Sequence, residues 1–183
     1  MSKTDLIFMI GPTNSGKTTL GDYIVEKYDA HGVFIGRELR AKYGADAFKG
    51  QAAPDWSASE AHRMMVEGIQ RGRDKGHSCV VVDGQPRSDD QTEFVINNYL
   101  SGKFSDAFNV VILVLYCTDE VRKQRMEARD VDEDKRKLAE ARFQGDMPQI
   151  HKLMYQLIVA GFKDNITVLN SEDSLNNFDT WYV

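Results

Sequence analysis

A doubly wound parallel α/β domain is the fold this chain predicts, and three observations carry it. Four short apolar runs, Leu6–Ile10, Gly32–Ile35, Cys79–Val82 and Val110–Tyr116, are continuous rather than alternating, with a weaker fifth at Ile166–Leu169. Each run is followed by a helical pattern. Strands that are apolar on both faces and separated by helices form a parallel sheet covered on both sides, here of five strands. The third observation is a glycine-bounded loop between the first run and the first helix, at the carboxyl end of a strand, where such sheets bind ligands. Asp83 and the residues after Ile35 emerge at the same edge, so the three sites are expected to converge.

Composition narrows the classes. At 183 residues the chain fills one well-cored domain with room for small inserted lobes. A hydrophobic fraction of 42% and a charged fraction of 28% are those of a folded globular protein. A net charge of −5 argues against a nucleic-acid or anionic-membrane binder and requires any positive charge to be focused. The longest apolar run, Val110–Cys117, is too short to span a bilayer, and the N-terminus lacks the basic-then-apolar layout of a signal peptide, so a cytoplasmic location is expected. Cys79 and Cys117 lie on apolar runs and read as reduced core thiols, with a disulfide between neighbouring strands as the alternative. His31, His62, His77 and His151 show no metal-ligand spacing.

The first strand leads into Gly11-Pro12-Thr13-Asn14-Ser15-Gly16-Lys17-Thr18, and an amphipathic helix runs from Thr19 to Tyr28. Glycines at both ends let the backbone turn its N–H groups inward around a phosphate, and the helix N-terminus adds its positive dipole end. Lys17 reaches the terminal phosphates and the Thr18 hydroxyl suits a magnesium ion, which completes the P-loop pattern G-x-x-x-x-G-K-[ST] in its strand–loop–helix setting. The second run is followed by an interval, Arg37 to His77, longer than a plain crossover. It reads as a small helical lobe, about residues 37–76, whose main helix runs from Ser57 to about Asp74 with Ser57 or Ser59 as its cap and Glu60 closing a capping box. Met64, Met65, Gly68 and Ile69 face inward at helical spacing as core.

The third run, Val80-Val81-Val82, ends in Asp83, a carboxylate at the strand end where magnesium is held. After the fourth run, Asp119 to Arg142 is densely but evenly charged, the pattern of solvated helix faces. Arg122, Arg125 and Arg129 fall on one helical face, where either an anion sits among them or Asp119, Asp130 or Glu133 neutralises them. The tail from Asp179 to Val183 follows the last run closely and is expected only to pack.

The stretch Asp83-Gly84-Gln85-Pro86-Arg87, followed by Gln91, resembles the adenylate kinase family. The resemblance extends in order over most of the chain, from Leu6 to about Leu169. It implies that Arg87 grips the phosphate of a nucleoside monophosphate beside Gly84 and that Gln91 reads the adenine edge. Gly36-Arg37-Glu38-Leu39-Arg40 is similar to the segment that opens the monophosphate lobe and makes Arg40 a second phosphate ligand, while the stretch containing Ala53 resembles one whose backbone touches the base. Gln124 to Arg129 resembles the helix leading into a lid, with Arg125 against the donor adenine and Arg129 on phosphates; Arg142 matches the returning lid arginine at the head of the next helix. The lid, about residues 129–142, is then only a short turn without zinc-type cysteines, and the core comprises 1–36, 77–128 and 143–183. Thr18-Thr19-Leu20 departs from the family's Gly-Thr-Gln, and Ile35 stands where the family carries a threonine near base and ribose.

The resemblance implies an ATP- and magnesium-dependent kinase acting on a small nucleoside monophosphate, AMP or dAMP first, as a monomer. Lys17, Arg87, Arg125, Arg129 and Arg142 are the expected catalytic cations, with residues 11–19 and Arg125 on ATP. Thr18 and Asp83 are expected on the metal, and Ile35, Gly36, Arg40, Ala53, Gly84, Arg87 and Gln91 on the acceptor. The alternatives are a kinase of the same fold for another monophosphate, which Ile35 keeps open, a small-metabolite kinase, and a nucleotide-binding regulatory module without transfer activity.

Overall fold

The computed structural model describes residues 3–44, 55–128 and 133–182, except for the side chains of 55–57, 133–139, 141, 142 and 144. Five strands, β1 (Thr4–Ile10), β2 (His31–Phe34), β3 (Cys79–Asp83), β4 (Phe108–Tyr116) and β5 (Ile166–Asn170), form one sheet in the order β2-β3-β1-β4-β5. Every neighbouring pair is parallel. The apolar runs thus mark the strands, with one boundary correction: the second strand ends at Phe34, and Ile35 opens a helix instead. The helices are α1 (Lys17–Tyr28), α2 (Ile35–Tyr43), α3 (Asp55–Asp74), α4 (Asp89–Val95), α5 (Asp119–Glu127), α6 (Glu133–Val159) and α7 (Ser174–Tyr182).

Period-two alternation along buried strands sorts the core onto two faces. Leu6, Phe8 and Ile10 of β1 join Val80, Val82, Ile112 and Val114 on the face packed by α3, α4 and α6. Ile7 and Met9 join Val81, Leu113 and Leu115 on the opposite face, beneath Leu20 and Ile24 of α1 and Phe178 of α7. Met64, Met65 and Ile69 are core, as their spacing suggests. Gly68 is where α3 comes closest to the sheet: a Cβ there would lie 2.7 Å from Val33 Cγ1. Cys79 and Cys117 are buried free thiols, and burial pushes the Cys79 thiol up to about 11.

Three helix starts differ from expectation, the first only slightly: α1 begins at Lys17 rather than Thr19. α3 begins at Asp55, so Ser57 and Ser59 lie inside it rather than at its cap, and Glu60 pairs with Lys42 at 2.6 Å and Arg63 at 2.7 Å instead of closing a capping box. α6 begins at Glu133, so residues 133–142 are its opening turns and Arg142 lies within the helix, not at its head. The tail forms α7, which docks on α1 through Asp179: its carboxylate accepts from Tyr23 at 2.6 Å and Tyr28 at 2.7 Å and pairs with Lys27 at 2.5 Å. Tyr28 also meets Phe178 edge-on.

Candidate active site

Where β1 ends, the chain has to turn sharply enough to aim several N–H groups at one point. Asn14 (φ 66°) and Gly16 (φ 89°) adopt left-handed backbone, the Ser15 N–H donates to the Pro12 carbonyl at 3.1 Å, and α1 starts at once with Gly16 as its cap. The first-turn donors of α1 therefore open onto the loop, the arrangement that holds phosphate. Lys17 folds back over the loop, donating to the Gly11 and Pro12 carbonyls at 2.7 and 2.9 Å. Burial lowers its pKa to about 8, opposed by the charge of Asp83 and helped by that of Arg87.

The Thr18 hydroxyl donates to Asp83 Oδ2 at 2.9 Å, linking the head of α1 to the end of β3. Asp83 is buried and its Oδ1 has no partner. A carboxylate oxygen left unpaired beside a hydroxyl is an oxygen donor set suited to magnesium, which takes one or two protein ligands and completes its shell with water and phosphate. Thr18 and Asp83 thus fit the ion.

A cavity of about 470 Å³ extends from this point across the carboxyl edge of the sheet. The glycine loop, Gly36, Arg40, Asp83, Gly84 and Arg87 all line it, so the three stretches expected to converge do so. Arg40 and Arg87 are exposed and form no ion pair with a described residue, whereas Arg37 is bound to Asp22 at 2.9 Å and lies over the Phe34 ring. A second cavity of about 560 Å³ adjoins the other side of the loop, lined by Gly16, Thr19, Arg125, Ala128 and residues 171–176. Arg125 is fixed there, donating to the Asn14 carbonyl at 3.3 Å and to Ser171 Oγ and its carbonyl at 3.0 Å each.

Two expected acceptor residues sit elsewhere. Ile35 is 3% exposed and belongs to the core, because an apolar side chain at the first turn of α2 is better buried against the sheet than turned to a polar cleft. Gln91 does not line the cavity either. Ser88 caps α4 by accepting the Gln91 N–H at 3.4 Å, and Gln91 Oε1 turns back to accept the Arg87 N–H at 2.7 Å, a relative of the capping box. Ala53 and Arg129 lie outside the described residues, as does the side chain of Arg142.

Three residues take places in the site that the sequence did not assign them. Arg122 is 1% exposed and serves as a strut: its guanidinium donates to the Thr13 carbonyl at 3.2 Å, to Asp119 at 3.0 Å and to the Phe143 carbonyl at 3.2 Å, and it stacks over the Phe143 ring. Of the two readings of the arginine face, neutralisation by Asp119 holds at this position. Asp146 of α6 lines the cavity, accepts the Thr13 N–H at 2.5 Å and reaches Arg122 at 3.5 Å. No local pattern links residues so distant in sequence. Gln85 is the third: it lines the cavity, is 1% exposed, and neither polar atom of its amide has a partner. The only sequence signal was a polar residue at the open position of Asp-Gly-x-Pro-Arg. Asn14 is likewise buried with both amide atoms unpaired. Each such atom costs on the order of 1–3 kcal/mol unless a ligand satisfies it, so their clustering with Asp83 around one cavity marks it as a binding site.

Among the described residues no helix is long and apolar enough to cross a membrane. No curated protein matches the chain. The sequence model of the AAA domain family matches residues 7–146, from β1 through the glycine loop, Asp83 and the arginine helix to Asp146. That family comprises P-loop NTPases of kinase-like build and includes kinases of nucleotides and of shikimate. With the loop geometry, the Thr18–Asp83 pair and the five-stranded parallel sheet in agreement, the chain belongs to the AAA domain family and is a kinase-like P-loop nucleotide-binding protein.

Proposed function

We propose that the protein is a nucleoside monophosphate kinase, resembling the adenylate kinase family, that transfers the γ-phosphoryl group of Mg-ATP to AMP or dAMP. The observation that carries this reading is the pair Arg40 and Arg87: two guanidinium groups that form no ion pair with a described residue line the same cavity as the phosphate-binding loop. A protein that only binds and hydrolyses ATP has no use for them, whereas an acceptor bearing its own phosphate neutralises both.

In this reading ATP lies along residues 11–19, with Lys17 on its β- and γ-phosphates and Arg125 in the second cavity beside its base. Thr18 and Asp83 hold magnesium directly or through water. When bound, that ion offsets charge on the phosphates. Arg40, Arg87, Gly36 and Gly84 receive the acceptor phosphate and its surroundings. An acceptor phosphate oxygen is already ionised near neutral pH, so the site needs no general base and works by alignment and charge stabilisation. The lobe of residues 37–76 closes over the acceptor and excludes water, and Arg129 and Arg142 are further cations for the donor phosphates. All the residues invoked come from one chain, and a monomer suffices.

Arg87→Ala separates acceptor binding from ATP binding. With AMP or dAMP as acceptor, the acceptor KM is expected to rise by about tenfold or more while the KM for ATP stays nearly unchanged. Equal losses for both substrates, or no loss, would remove Arg87 from the acceptor site.

A further inference from the structure

Two side-chain amides stand in the segment that follows β3, and they are spent differently. Gln91 uses its carbonyl oxygen on the Arg87 N–H at the head of α4. Gln85 has no partner for either polar atom among the described residues, although it is 1% exposed and lines the cavity shared by the glycine loop, Asp83 and Arg87. An amide buried without partners opposes folding, and a methionine or leucine of similar volume in its place would not. The residue is therefore explained by something the protein meets only when a ligand is bound.

Position says which ligand. Gln85 lies between Asp83, whose Oδ2 faces Thr18 and the loop, and Arg87, which lines the same cavity. It is two residues from Arg87 and lines the same cavity, so it stands beside the guanidinium that receives the acceptor phosphate. An amide presents one donor and one acceptor side by side, the complement of the adenine edge with its exocyclic amino group and adjacent ring nitrogen.

Resting on the monophosphate kinase reading, we propose that Gln85, rather than Gln91, is the residue that determines base specificity, pairing its amide with the adenine edge of the acceptor. Since neither polar atom is open to water in the ligand-free protein, the side chain turns toward the base as the acceptor enters.

The test compares wild type, Gln85→Met and Gln91→Ala at saturating Mg-ATP. The readouts are kcat and KM for AMP, dAMP, the other ribo- and deoxyribonucleoside monophosphates, and purine riboside monophosphate, which lacks the exocyclic amino group. Gln85→Met is expected to raise the KM for the adenine nucleotides and lower their preference over other bases by about tenfold or more. It should also abolish the wild-type preference for AMP over purine riboside monophosphate, leave the KM for ATP nearly unchanged, and leave the ligand-free Tm equal or higher. Where Gln85→Met folds poorly, Gln85→Asn, which keeps the amide one methylene shorter, carries the same comparison. Base preferences that survive at residue 85 but collapse in Gln91→Ala would overturn the inference and leave the kinase reading standing. A wild-type protein that phosphorylates no monophosphate overturns that reading, and the inference with it.

Discussion

Lys17 concentrates the chemistry of the site in one ammonium group. Burial lowers its pKa to about 8 from the ordinary 10.5, so the charged form is the disfavoured one in the folded, ligand-free protein. The folded chain then binds fewer protons than the unfolded chain between those two values, and this group's contribution to stability rises with pH across that window. ATP binding runs the other way, because phosphates favour the ammonium. The Kd for ATP is expected to rise by up to about tenfold per pH unit above pH 8, with proton uptake on binding visible by calorimetry in buffers of different ionisation enthalpy. An affinity that stays flat across this window would show that Lys17 does not meet the phosphates. Arg122 is the structural counterpart: buried, stacked on Phe143 and tied to Thr13, Asp119 and Asp146. Arg122→Ala strands Asp146 against the loop and is expected to cost about 3–5 kcal/mol in urea denaturation. Arg122→Lys should recover only part of this, since an ammonium cannot bridge that many acceptors in the fixed fork of a guanidinium.

The elements carry the site because three of them deliver their functional residues within a turn of a strand end. β1 runs into the glycine loop, β2 into α2 with Gly36 and Arg40, and β3 into Asp83 and Gly84. Each delivery was legible, since continuous apolar runs locate strands and a parallel sheet fixes which end binds. Helix starts were less legible. α6 begins among residues 133–142, where charges balance and no capping pattern stands out, so a helix read as a turn. Contacts across elements were not legible at all: the fates of Gln91 in a local cap, Ile35 in the core and Arg122 between α5, α6 and the loop depend on which surface faces which. Gly68 sets the distance of the lobe helix α3 from the sheet at Val33. Gly68→Ala adds helix propensity yet brings a Cβ to 2.7 Å and 2.9 Å from the two Val33 methyls. The net effect is expected to be destabilising by about 1–3 kcal/mol, read as a lower Tm; a higher Tm would show that α3 can draw back from β2 without loss.

Across the whole molecule, phosphate-binding groups are gathered at one edge of a sheet buried on both faces, in a protein whose net charge is −5. There the loop, Lys17, Arg40 and Arg87 surround one cavity and Arg125 lines the next. Two adjoining cavities on either side of one loop suit two nucleotides meeting at their phosphates. Acceptor-dependent ADP release from Mg-ATP by the wild-type protein, against a panel of ribo- and deoxyribonucleoside monophosphates and a set of small hydroxylated metabolites including shikimate, decides whether they do so. Turnover with monophosphates, AMP or dAMP foremost, and formation of the matching diphosphate are expected. Turnover confined to a metabolite hydroxyl, or ATP binding with no acceptor-dependent release at all, would contradict the monophosphate kinase reading.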